Sequence, residues 1–205
     1  MTGRKWMKAI FILSFFHSFI FLASCSEDSE EAGEWDNWQE RNEAKTAEWA
    51  ASSVYTKYKN FTKDQSTAGK SSDYIYVKVL ESGSATESPL YMDSVRVAYR
   101  LRYIPTATYA EGYLVSQTFV GDFDWKTMGV TDLQLNSNLI DGFNTALMNM
   151  HVGDYWQVNI PYEIAYGNPA SRSDIRDASN LVYEIALVDF WHPGETRPAF
   201  KARTR

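Results

Sequence analysis

Residues 95–103 confine this chain to a narrow set of folds. Val95, Val97, Tyr99, Leu101 and Tyr103 fall on one side of an extended backbone; Arg96, Ala98, Arg100 and Arg102 fall on the other. A period of two, with bulky β-favouring side chains on a single side, describes a half-buried antiparallel strand. Such a strand needs partners. Tyr74 to Leu80, Tyr113 to Phe119, Tyr155 to Ile160 and Leu181 to Phe190 are candidates, with a shorter one around Leu133 and Leu135. Amid these strands one segment has helical spacing: Leu139, Ile140, Phe143, Ala146, Leu147 and Met150. Asn136 to Asn138 offer N-cap side chains, Asp141 suits the positive first turn, and Gly153 supplies the stop. The expected class is α+β, a curved antiparallel sheet wrapped on one short helix, with an apolar hollow between them.

The flanks divide the remainder. Residues 1–24 carry Arg4, Lys5 and Lys8 and then an apolar run to Ala23, too short for a comfortable membrane span. The run ends in Leu22-Ala23-Ser24-Cys25, which resembles the bacterial lipobox and makes Cys25 the expected lipidation site. Cleavage there removes three positive charges and takes the net charge from −6 to −9. Residues 25–34 read as an acidic tether, and Ser26 after the cysteine resembles lipoproteins sent to the outer membrane. The expected location is therefore the cell envelope, with the chain lipid-anchored at the outer membrane. Residues 35–61 lack Gly and Pro and place Ala44, Ala47, Ala51, Val54, Tyr55 and Tyr58 on one helical face. They are expected to form a helical arm that packs on its own domain or pairs two molecules as a homodimer. Residues 62–72 read as a linker, 73–191 as the main domain, and 192–205 as a loosely ordered basic tail.

Composition excludes most catalytic chemistries. Cys25 is the only cysteine, so disulfides and a thiol nucleophile are ruled out. After cleavage His151 and His192 remain, far apart and with no second ligand at a zinc-type spacing. No metal or cofactor is implied. The acidic balance argues against nucleic acid as a partner.

Three pieces nevertheless carry a pattern: Leu139-Ile140-Asp141-Gly142-Phe143, Ile160-Pro161-Tyr162-Glu163-Ile164-Ala165-Tyr166-Gly167, and Leu181-Val182-Tyr183-Glu184-Ile185. Together they resemble the FKBP-type peptidyl-prolyl isomerases, over about Ser88 to Phe190. The resemblance implies an aromatic pocket for a proline ring in Pro-containing polypeptides. Phe143 would form its floor, Tyr99 and Tyr183 its walls, Leu139 and Ile140 its base, and Ile175 its far side. Tyr166 would offer its hydroxyl to a substrate carbonyl, and the Ile140 N–H would bond another.

The chain departs from the family at several places. Val115-Ser116 stands where an aromatic-Asp pair is usual, Ile175-Arg176-Asp177 replaces Ile-Pro-Pro, and Phe143 replaces an indole. Reduced activity is expected from the first of these. Residues 120–132 form a longer stretch whose Phe123 and Trp125 either patch the wall beside Val115 or meet a partner. Three readings stay open: an isomerase assisting exported proteins, a non-catalytic binding or chaperone module, and an accessory lipoprotein of an outer-membrane assembly.

Overall fold

The computed structural model describes residues 33–200. The signal-type segment, Cys25, nearly all of the acidic tether and residues 201–205 lie outside the described residues. Seven strands form a single antiparallel sheet: β1 (Thr56–Lys59), β2 (Tyr74–Glu81), β3 (Ser94–Tyr103), β4 (Leu114–Gln117), β5 (Thr131–Gln134), β6 (Tyr155–Ile160) and β7 (Leu181–Trp191). Their order is β1-β2-β6-β7-β3-β4, and β5 also pairs with β3. Register shifts interrupt β2 between Val79 and Glu81 and β3 beside Val97 and Arg102. Each adds local twist to the sheet. The fold is α+β, as the alternation and the lone helical stretch require.

Inner and outer faces follow from the ladders. Val77 pairs with Val158, Val158 with Tyr183, and Tyr183 with Leu101. This row faces α2 (Asp141–Leu147). Phe143, Ala146, Leu147 and Met150 are buried against it, although the helix ends before Met150. The asparagines do not cap the helix as expected. Ile140 is the N-cap, and the Asn136 side chain instead accepts from the Asn138 N–H at 2.8 Å in a local turn. Gly153 serves the turn into β6, not the helix stop. Gly142 lets α2 approach closely: a Cβ there would stand 2.3 Å from Ile160 Cγ2 and 3.2 Å from the Ile164 carbonyl.

The outer face is covered by two elements. α1 (Trp38–Ala51) buries Trp38, Asn42, Thr46 and Trp49, not the alanine stripe; Ala44, Ala47 and Ala51 are exposed. The reason is area and hydrogen bonding together. Indoles bury far more apolar surface than methyl groups, and Asn42 and Thr46 meet Asn180. The Asn180 N–H donates to Asn42 Oδ1 at 2.8 Å, and its side-chain amide donates to the Asn42 carbonyl and Thr46 Oγ1 at 2.7 and 2.9 Å. Trp38 Nε1 donates to Ser179 Oγ at 2.9 Å. The helix stops at Ala51, and β1 lies within the stretch expected to be helical: Val54, Tyr55, Thr56 and Tyr58 favour a strand once a sheet edge is available.

Residues 119–128 supply the second cover. Phe119, Phe123, Trp125 and Met128 pack with Ala98, Tyr155 and Ala186 in a separate small core. Phe123 stacks on Tyr155 at 4.0 Å, and Trp125 Nε1 donates to Glu81 at 3.0 Å. This stretch therefore protects the back of the sheet and does not patch the wall beside Val115. Residues 192–200 are also engaged. Buried Arg96 makes a two-pronged pair with Asp132 at 2.8 and 3.0 Å, donates to the Pro198 carbonyl at 2.9 Å, and lies against the rings of Trp191 and Phe200. Arg197 reaches the same carboxylate at 2.5 Å.

Two outcomes follow. Gly142→Ala is expected to cost about 1–3 kcal/mol in urea unfolding, because fully buried Ile160 has nowhere to move. The hydrogen bond from Arg96 holds the Asp132 carboxyl below the ordinary aspartate range. The stability it contributes is therefore present above the unfolded aspartate pKa and lost as pH falls through the depressed folded value. Comparing urea midpoints at neutral and acid pH should show Asp132→Asn less acid-sensitive than the parent.

Candidate active site

β3 and β7 pair along ten residue positions, with Tyr99 opposite Ile185 and Leu101 opposite Tyr183. Tyr99 and Tyr183 are thus diagonal neighbours on the inner face, within reach of each other. Their ring centroids lie 6.1 Å apart. α2 places Phe143 5.1 Å from Tyr183 and 6.4 Å from Tyr99, at interplanar angles of 51° and 79°. Rings set at such angles offer edges and faces around a space instead of stacking it shut. Tyr166 joins them from the turn after the short helix Tyr162–Ile164.

These four rings border one cavity of about 190 Å³. Of the other residues expected there, Val115, Ser116, Leu139 and Ile140 also line it. The space is several times the roughly 30 Å³ share of a single water, so a small ring can enter. The Ile140 N–H, just ahead of α2 at the cavity edge, makes no hydrogen bond among the described residues. Ile175 does not line the cavity. Its side chain is buried and borders a neighbouring depression with Trp35, Tyr103, Tyr109 and Tyr113. The Arg176 N–H donates to Tyr103 Oη at 2.8 Å, and its guanidinium lies 4.4 Å over Trp35, so the loop is drawn toward the N-terminal segment. That depression is larger, about 640 Å³, but it is more open and carries Asp174 and Asp177. The smaller, less open, ring-lined space is the better candidate site.

Three lining residues had not been assigned to the site from the sequence. Leu101 shares the inner face of β3 with Tyr99, and Leu133 lies on β5; alternation signals both. Arg172, from the loop after Gly167, has no such signal. It is the one formally charged side chain lining the cavity.

The polar groups are arranged in two sets. Tyr99 Oη and Ser116 Oγ are 3.1 Å apart, so Ser116 holds the tyrosine with a hydroxyl where a carboxylate is usual. On the opposite wall, Arg172 Nη1 donates to Tyr166 Oη at 3.2 Å. Its Nε and Nη2 bind the two Asp174 oxygens at 2.6 and 2.5 Å. Burial, more than any neighbour, pushes the Tyr183 phenol pKa well above the ordinary value. Hydrogen bonds to Asp174 and then Tyr166 raise the Arg172 pKa further. No histidine, cysteine or carboxylate side chain lines the cavity among the described residues.

The family profile described as FKBP-type peptidyl-prolyl cis-trans isomerase matches residues 86–188, half of the chain. The chain belongs to this family. It is 30% identical over 111 residues to the peptidyl-prolyl cis-trans isomerase Mip of Coxiella burnetii, a match covering 54% of this chain and 42% of that protein. This FKBP-family chain spans less than half the length of the curated relatives it matches. Among solved structures, a peptidyl-prolyl cis-trans isomerase from Pseudomonas syringae superposes with a TM-score of 0.54 at 22% identity, covering 74% of this chain and 92% of the other. FkpA from Escherichia coli gives 0.54 at 20% identity, covering 78% and 61%. At these identities the likeness speaks for the fold alone.

The placement of Ile175 can be checked directly. Ile175→Val is expected to cost about 0.5–1.5 kcal/mol of stability. Affinity for a proline-containing peptide, followed by calorimetry, should stay unchanged, whereas Val115→Ala should alter it.

Proposed function

We propose that this chain is a peptidyl-prolyl cis-trans isomerase that assists the folding of exported polypeptides. The carrying observation is the convergence of Tyr99, Phe143, Tyr166 and Tyr183, from four separate segments, on one cavity. Rotation about an X-Pro bond is opposed by amide resonance, with a barrier of roughly 18–20 kcal/mol. Twisting the amide removes that resonance and leaves its carbonyl less polar, so water favours the planar form over the twisted one. An apolar cup withdraws this preference and lowers the barrier; its hydrogen bonds need only fix orientation. The Tyr166 hydroxyl and the Ile140 N–H are the orienting donors in this reading. No proton is transferred and no residue attacks, which suits a site without histidine or cysteine.

A binding module that holds prolyl segments without turning them over is the second reading. It is favoured by Val115 and Ser116, which give the wall less ring surface and no carboxylate. We also infer that the protein sits in the envelope, anchored through a lipid on Cys25, a reading supported by the Leu22-Ala23-Ser24-Cys25 sequence.

A proline-limited refolding assay separates the two readings. The isomerase reading expects acceleration by catalytic amounts of protein, and a loss of about fivefold or more in Tyr166→Phe. Absence of acceleration in the parent chain, with activity appearing in Val115→Phe/Ser116→Asp, would establish the binder instead.

A further inference from the structure

We propose that Arg172 is a positioning residue for X-Pro rotation: by donating to the Tyr166 oxygen it turns the phenol proton into the cavity, toward the substrate carbonyl. This rests on the isomerase reading above. A guanidinium carries five N–H donors and no acceptor, whereas a phenol has one proton and an oxygen that accepts. At 3.2 Å the direction of the bond between them is therefore fixed: Arg172 donates and Tyr166 accepts.

Asp174 makes this contact specific. Its carboxylate takes the Nε and Nη2 edge of the guanidinium at 2.6 and 2.5 Å, and only Nη1 is left to face the phenol. The guanidinium carbon also lies 5.6 Å from the centre of the Tyr166 ring, a distance that holds the two planes together. With Arg172 occupying the oxygen, the hydroxyl proton is directed away from the guanidinium, toward the cavity that Tyr166 lines.

A donor aimed in advance costs no reorganisation when the amide twists, and a cationic neighbour strengthens the O–H as a donor. The effect belongs to this chain's own loop. Serine or alanine at position 172 would leave the phenol free to rotate away.

The test uses the full chain in a peptide isomerisation assay with an X-Pro peptide, following kcat and KM separately. Arg172→Met is expected to lower kcat/KM about fivefold, mostly through kcat, with little change in thermal midpoint because the side chain is half exposed. Arg172→Lys, which cannot make the fork with Asp174, should fall between the two. In a Tyr166→Phe background the Arg172→Met substitution should change nothing further. Equal losses in both backgrounds, or no loss in the parent, would overturn the assignment while leaving the isomerase reading standing. A folded parent chain without any rate enhancement would overturn both.

Discussion

Because β3 and β7 stay in register from Val97 to Tyr103, the inner-face side chains of the two strands interleave on one surface. That single ladder sets Tyr99 beside Tyr183 on a diagonal. Neither ring could be moved to a neighbouring position without turning to the opposite face. Phe143 can then meet both from a helix only seven residues long, since Gly142 lets its backbone settle onto Ile160. The cavity is thus a remainder: the volume left where three rigidly spaced rings refuse to stack.

A sheet this twisted exposes a wide outer face, and the chain covers it with unusual means. One half is held by α1 through an amide network around Asn180; the other is held by the aromatic insert at residues 119–128. Arg96, which alternation places on the outside, is nearly inaccessible because Asp132, the Pro198 carbonyl and two rings enclose it. The cost of burying its charge is offset only with all of these partners present, which accounts for the ordering of residues that composition alone marked as a loose tail.

The strands were legible because their period is two and because β3 and β7 are long enough to show it. The site was legible where it coincides with such a pattern: Tyr99, Tyr183, Leu139, Ile140 and Phe143 all sit on regular elements or beside one. It failed in the loop after Gly167. Ile175 was expected in the cavity, but Tyr103 and Trp35 draw its loop the other way, and Arg172 enters instead. Nothing in the local sequence reports a competition between distant anchors. The buried face of α1 was misjudged for a related reason. Alanine spacing suggested one stripe, while two indoles and an asparagine whose partner lies 138 residues away decided another.

The Asn42–Asn180 clasp bears on where the working unit begins. Asn180 immediately precedes β7 and follows the loop that carries Arg172 and Asp174. Trp38 grips Ser179 one residue earlier. The first helix is therefore a brace on the rim of the cavity, so the minimal domain suggested by family likeness is shorter than the piece of chain that keeps its mouth in shape.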